Sequence, residues 1–207
     1  MHTQVKASWF HIQGYCEYQL YLMICRKVGN FDTPDTIAGT EAHTVLDSLP
    51  DAGEVGVSNL ADKVYQAQAK NQPFNAREVD VNGARIYGRI DCIEYHLNHV
   101  IISDNKPRPK TGVPFYGDQR QILSYCMAFA EEFPEIKVPI FAKLRDHANK
   151  EYWSHEFVEG DRRDVDETID RILGILNETR APFPAKPYKC PDCHYLHCCD
   201  GTLLKRR

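Results

Sequence analysis

GRIDCIEYHLNHVIISDNK, residues Gly88 to Lys106, contains two apolar runs joined by a short polar reversal at Leu97-Asn98-His99. The runs Arg89–Ile93 and Val100–Ile102 are rich in β-formers and read as adjacent antiparallel strands. Asp91 interrupts the first, and Asp104-Asn105-Lys106 closes the second. Side chains alternate along a strand, so Asp91 shares a face with Arg89 and Ile93, and Lys106 lies on the same side as Asp104. An antiparallel return brings Asp104 beside Asp91. Two carboxylates that close repel unless a cation sits between them, and hard oxygen ligands suit Mg²⁺ or Mn²⁺. Lys106 is then placed to hold or activate a water beside the ion. Each of these residues alone reads as an ordinary exposed charge. Ionised groups set into apolar runs, however, need a partner or a metal, and the combination suits phosphodiester hydrolysis.

Outward from this stretch, Asn82-Gly83 marks a hairpin before the first strand. Helical spacing of apolar residues appears in Cys16–Lys27, Gly39–Leu49, Gly117–Phe133 and Asp161–Thr179. Lys137–Leu144 and Glu151–Val158 read as two further strands, Lys106–Phe115 is a proline-bearing loop, and Pro182, Pro184 and Pro187 form an extended connection to the C-terminal end. The order of helices, strands, helix, strands, helix and tail predicts an α/β fold.

A chain of 207 residues can bury one sizeable core. No apolar stretch approaches the ~20 residues a bilayer span needs, and MHTQVKASWFHIQG has no apolar h-region. The expectation is therefore a soluble, cytoplasmic protein with no membrane partner. A net charge of −4 excludes a globally basic polyanion binder, so any nucleic-acid surface must be local.

The order of residues resembles the PD-(D/E)XK nuclease superfamily, and more closely its RecB-like branch. The matching positions are His43 in Gly39-x-x-x-His43, Asp91 in Gly88-Arg-Ile-Asp91, Asp104 and Lys106 as D-x-K, and Gln121 with Tyr125 in QILSY. The resemblance implies that His43, Asp91 and Asp104 bind metal, that the Asn105 carbonyl contributes, and that Lys106 assists the attacking water. Gln121 and Tyr125, four residues apart, share a helix face from which they brace Lys106 or touch substrate.

Eight cysteines in a reducing compartment argue for metal or cluster ligation over disulfides. Cys25, Cys92 and Cys126 read as small core residues. Cys190 and Cys193 form a C-x-x-C with Cys199 after five residues, which leaves a fourth ligand to arrive from elsewhere, with Cys16 the candidate. One early cysteine and a late C-x2-C-x5-C resemble the iron-sulfur members of the same branch, closest to the CRISPR-associated exonuclease family, the fourth Cas protein. That resemblance implies a single RecB-like nuclease domain over 1–207. Residues 16–30 and 186–207 would hold an iron-sulfur cluster, 4Fe-4S in preference to 2Fe-2S, that ties the N-terminal helix to the tail. The alternatives are Cys198 in place of Cys199, and a local zinc site closed by Cys190, Cys193, Cys199 and His194 or His197.

For substrate, Arg85, Arg89, Lys106, Arg108 and Lys110 form a strip able to neutralise phosphates, and Tyr87, Tyr95 and Phe115 are candidates to stack bases of a single strand. The reading is a metal-dependent exonuclease acting on single-stranded DNA ends. The resemblance implies a role in CRISPR adaptation beside the integrase proteins. The competing readings are a RecB-like repair or viral nuclease outside CRISPR and a non-catalytic zinc or iron-sulfur adaptor.

Overall fold

The structure is a computed structural model and describes residues 2–29, 54–55, 60–107, 109, 111–185, 187–191 and 193–199. The expected helix over Gly39–Leu49 lies outside these residues. Two short helices, α1 (Ser8–Tyr15) and α2 (Glu17–Ile24), follow a two-residue strand β1 (Val5–Lys6). After β2 (Glu54–Val55) and α3 (Leu60–Lys70) comes an antiparallel hairpin of β3 (Phe74–Asn82) and β4 (Ile86–His96), followed by β5 (His99–Asn105). The long helix α4 (Tyr116–Glu132), strands β6 (Ile140–Arg145) and β7 (Glu151–Glu156), and helix α5 (Glu159–Leu176) complete the body. The expected hairpin, the last two strands and three of the expected helices are thus present, with ends shifted by a few residues. Helices α1 and α3 were not expected: α1 has no amphipathic stripe, whereas Leu60, Val64 and Ala67 of α3 do stand at helical spacing and were a signal left unread.

Among the described residues the sheet has seven strands in the order β2-β3-β4-β5-β6-β7, with β1 pairing β4. It is mixed: β1/β4, β2/β3 and β5/β6 are parallel, and the remaining pairs are antiparallel. Helix α4 lies against β3 to β6 on one side and against α1 and α5 on the other. This explains why nearly all of it from Gly117 to Phe129 is buried. Ile86, Ile90, Ile93, Ile102 and Leu144 of the sheet meet Phe10, Ile122, Phe129, Phe133 and Ile169 of the helices in one core. Each such side chain contributes roughly 1.5–3 kcal/mol by leaving water.

Two glycine contacts fix how closely the helices approach. Gly14 of α1 crosses Gly117 of α4 so tightly that a Cβ on Gly14 would come within 2.7 Å of the Gly117 Cα. At the hairpin turn, a Cβ on Gly83 would come within 2.9 Å of the Ala128 Cα. Glu132 and Glu131 at the end of α4 accept the backbone N–H groups of Asn82 and Ala84, at 2.7 and 2.8 Å, and so hold the turn in place.

The edge of β4 is divided in a way that makes the site. β5 pairs with it from Cys92 to His96, and β1 pairs with it at Ile86 and Tyr87. Gly88 to Asp91 pair with neither strand, and Asp91 lies at the inner end of that gap.

Candidate active site

Cys92 opposes Ser103 in the last paired register of β4 and β5, so Asp91 and Asp104 are the next residues on each strand, immediately beyond the point where pairing ends. Asp91 replaces the missing ladder partner: its Oδ2 accepts the backbone N–H of Asn105 at 2.9 Å. On its other edge β5 is continued by β6, where Lys106 N–H donates to Arg145 O at 2.8 Å. The end of β5 is therefore held on both sides.

Asp104 is 1 % exposed, and its Oδ2 has no hydrogen bond of normal alignment. Lys106 Nζ stands 3.1 Å from that oxygen as an ion pair. Burial works against the Lys106 ammonium, but the charges of Asp104, Asp91 and Asp118 outweigh it and hold the group well above its ordinary range. Gln121 and Tyr125, the expected helix pair, are both buried on α4, and Gln121 Nε2 donates to Tyr125 Oη at 3.3 Å. Burial, with the nearby Asp104 and Asp91 charges, keeps the Tyr125 hydroxyl protonated far above its usual range. Gly88 makes room for this tyrosine, since a Cβ there would lie 2.9 Å from the Tyr125 ring.

Three residues join the site that were not expected in it. Asp118 is buried in the first turn of α4, three residues before Gln121, and His11 Nδ1 lies 2.7 Å from its Oδ1. The Gly14–Gly117 crossing makes this contact by bringing α1 onto α4. Tyr152 of β7 has a buried hydroxyl with no hydrogen-bond partner, and burial together with Asp118 and Asp104 pushes its ionisation up to about 12. The signal for Asp118 was its i, i+3 relation to Gln121; His11 and Tyr152 left none.

Some expected residues sit elsewhere. His43, Arg108 and Lys110 lie outside the described residues. Arg85 belongs to the hairpin turn and is engaged by Asp166, at 3.0 Å, and by Asp170 on α5. Arg89 pairs with Asp80 across the hairpin at 2.9 Å. Both guanidiniums are thus committed to carboxylates. Tyr95 is buried and stacks on Phe74, whereas Phe115 and, to a lesser degree, Tyr87 are exposed.

The donor set at the end of β5 fits a divalent cation: two oxygen-bearing side chains meet at a break in pairing, and one buried oxygen lacks a hydrogen bond. Asp91 and Asp104 would hold the ion. The Asn105 side chain falls on the opposite pleat from Asp104, so any contribution from Asn105 would come from its main chain.

At the other end of the molecule, Cys16 breaks α1 from α2 with an extended backbone (φ −161°, ψ 120°). Cys16, Cys190, Cys193 and Cys199 line one small cavity, whereas Cys198 lines a different one. Ala185 N–H points to Cys16 Sγ at 3.3 Å, and Gln19 Nε2 to Cys193 Sγ at 3.2 Å. Four thiols thus face one cavity, and two of them receive N–H groups. Among the described residues, no group of three or more His, Cys, Asp or Glu is close enough to hold a metal ion. Cys92 and Cys126 are core residues as expected, and Cys25 is half-buried.

Glu17 secures the tail. It is buried, ion-pairs with Arg171 at 2.9 Å and Arg180 at 3.2 Å, and accepts the Phe183 N–H at 2.8 Å. Burial opposes its charge, but the Phe183, Gln13, Arg180 and Arg171 hydrogen bonds prevail and hold its carboxyl below the ordinary value.

Comparison with known proteins is consistent with this geometry. No curated protein matches the chain. Among solved structures, one described as SSO0001 aligns at 16 % identity over 98 % of this chain and 89 % of its own, with a TM-score of 0.55. A candidate exonuclease from Eubacterium rectale aligns at 13 % identity over 95 % and 88 %, with a TM-score of 0.54. At these identities the likeness is one of fold. The family model of the PD-(D/E)XK nuclease superfamily matches residues 34–200. With a mixed sheet flanked by helices and D-x-K at the end of β5, the chain belongs to the PD-(D/E)XK nuclease superfamily.

Proposed function

We propose that this protein is a divalent-cation-dependent deoxyribonuclease that shortens DNA from single-stranded ends, using Mn²⁺ or Mg²⁺. The observation that carries the reading is the Asp91–Asp104–Lys106 arrangement at the break between β4 and β5, with a buried Asp104 oxygen left without a hydrogen bond. When bound, the cation would supply charge neutralisation at the scissile phosphate. Lys106 orients the attacking water and offsets charge that develops on the phosphate. Tyr125, kept protonated and braced by Gln121, supplies a hydrogen-bond donor at the wall of the site. The preference for single strands is supported by exposed Phe115 and Tyr116 just past the loop that follows Lys106, because base stacking on aromatic rings is tolerant of sequence.

Within the same proposal, Cys16, Cys190, Cys193 and Cys199 hold an iron-sulfur cluster, 4Fe-4S in preference to 2Fe-2S. Its support is the shared cavity and the N–H groups aimed at two of the sulfurs. Hydrogen bonds of that kind stabilise cluster-bound thiolates. A nuclease core bracketed by such a site is what supports a cytoplasmic role in CRISPR adaptation, trimming spacer precursors beside the integrase proteins. The direct test is to incubate end-labelled single- and double-stranded DNA with the protein and Mn²⁺ or Mg²⁺. Stepwise shortening of the single strand, stopped by EDTA, is expected. Cleavage that continues in excess EDTA would overturn the cation mechanism.

A further inference from the structure

Glu78 stands in the middle of β3 with its backbone in the left-handed region, at φ 51°. Among the described residues the other non-glycine positions with positive φ are Lys27, Asn71, Asn149 and Glu178, and these lie past the ends of α2, α3 and α5 or in the turn between β6 and β7. Glu78 alone is inside a strand. A residue with a Cβ is strained in that conformation and persists there only where its surroundings impose it, a situation that clusters at functional sites. The register says what Glu78 faces. Arg77 opposes Cys92 and Val79 opposes Ile90, so the residue across from Glu78 is Asp91, and theirs is the one step from Phe74 to Asn82 at which the β3–β4 ladder is not paired. Both strands change face at this step. Core positions in a regular strand recur every second residue, but on β3 they run Ala76, then Val79 and Val81, and on β4 Ile86 and Ile90, then Ile93 and Tyr95. Two residues separate the core positions here in place of one: Arg77-Glu78 on β3 and Asp91-Cys92 on β4. An unbroken alternation from Ile86 and Ile90 would send Asp91 to the outer face of the hairpin with Arg89, which is exposed and pairs with exposed Asp80. The reversal takes Asp91 off that face, and its Oδ2 meets the Asn105 N–H at 2.9 Å.

We propose that Glu78 is a positioning residue: its left-handed backbone carries the reversal of β3 and β4 that turns the Asp91 carboxylate from the outer face of the hairpin to the end of β5, beside Asp104. The Glu78 backbone acts here and its carboxylate does not, so a residue at ease in the left-handed region can replace it. That Asp91 holds a cation in this place rests on the nuclease reading above, whereas the aim of its side chain does not.

The test reads the Asn105 amide by hydrogen exchange in the full chain, without cation, DNA or turnover. Glu78→Val, whose β-branched side chain is least at ease in left-handed backbone, should speed exchange at Asn105 about tenfold, the scale of one lost hydrogen bond. Glu78→Gly, at no steric cost in that region, and Glu78→Asn, which tolerates it and lacks the charge, should each stay within about twofold of wild type. Glu78→Thr, also β-branched, serves if Glu78→Val fails to fold. The proposal is overturned if the β-branched variant leaves Asn105 exchange unchanged. A speeding that is equal across β3, β4 and β5 overturns it too, because Glu78 would then support stability in general. So does a Glu78→Asn as fast as Glu78→Val, which would make the carboxylate the acting group. Mn²⁺ calorimetry on the same variants keeps the two readings apart: Glu78→Val should bind about tenfold more weakly, and Glu78→Gly as wild type, through the displaced Asp91 ligand. Wild-type protein that binds no Mn²⁺ would remove the cation reading and leave the Asn105 result to decide this inference. Wild-type binding with Asn105 exchange unmoved by Glu78→Val would remove the inference alone.

Discussion

The backbone N–H of Asn105 donates to Asp91 Oδ2 at 2.9 Å, at the position where the β4–β5 ladder stops. A carboxylate thus completes the sheet's hydrogen bonding and leaves its charge beside Asp104. Replacing Asp91 with alanine removes a ligand and also leaves a main-chain donor without its partner. It should therefore cost stability, about 1–3 kcal/mol, in addition to activity. Thermal unfolding of Asp91→Ala beside Asp91→Asn, whose amide oxygen can still accept the bond, separates the two effects: the asparagine variant should be inactive but close to wild type in Tm.

Lys106 should be a residue of turnover and not of affinity. Lys106→Ala is expected to lower single-turnover cleavage by about 10²–10³-fold, as for loss of one donor to developing charge, with DNA binding nearly unchanged. Binding measured by anisotropy alongside single-turnover rates decides this. A collapse of binding with unchanged turnover of bound DNA would make Lys106 a phosphate contact only.

Glu17→Gln removes the charge that Arg171, Arg180 and the Phe183 N–H converge on. At neutral pH the loss should be about 2 kcal/mol, the scale of hydrogen bonds to a charged group, or roughly 4–8 °C in Tm for a chain of this size. The folded carboxyl lies below the ordinary value of 4.5, so its contribution is present above that pH and lost as the pH falls through the lowered folded value. Wild type and Glu17→Gln should therefore converge in Tm under strongly acidic conditions, which thermal melts across a pH series will show.

Cys16 separates a bracket from a local zinc site. Protein purified without oxygen should be brown, and Cys16→Ser should lose both the colour and stability, because the tail would no longer be tied to the N-terminal helices. Cys198→Ser, on a different cavity, should keep the visible spectrum. Colourless protein with one zinc per chain, indifferent to Cys16→Ser, would leave only the local site.

The α1–α4 crossing permits no side chain at Gly14, where a Cβ would meet backbone at 2.7 Å. Gly14→Ala should destabilise by about 1–3 kcal/mol through overpacking, measurable in denaturant melts. An unchanged midpoint would mean that the two helices are less tightly joined.

The spacing of the central stretch made the placement of Asp91, Asp104 and Lys106 at neighbouring strand ends legible, because strand alternation and a short reversal leave few ways to arrange them. Gln121 and Tyr125 were legible for the same reason on a helix. The polarity of Arg85 and Arg89 was readable but their partners were not: Asp166 and Asp170 are some eighty residues away in the chain, and only the packing of α5 against the hairpin turn brings them together. Helix α1 was missed because it buries Phe10 alone and has no amphipathic stripe, its place being set by the Gly14–Gly117 contact. With α1 unseen, His11 and its link to Asp118 could not be found.

The most direct measurement of the nuclease proposal is Mn²⁺-dependent shortening of single-stranded DNA by Asp104→Asn beside wild type, with the fold checked by circular dichroism. The expected result is wild-type activity that requires the cation, and an asparagine variant that is folded but at least about 10³-fold slower, as for loss of a group central to phosphate charge stabilisation. An Asp104→Asn protein as active as wild type would contradict the assignment of the site to the end of β5.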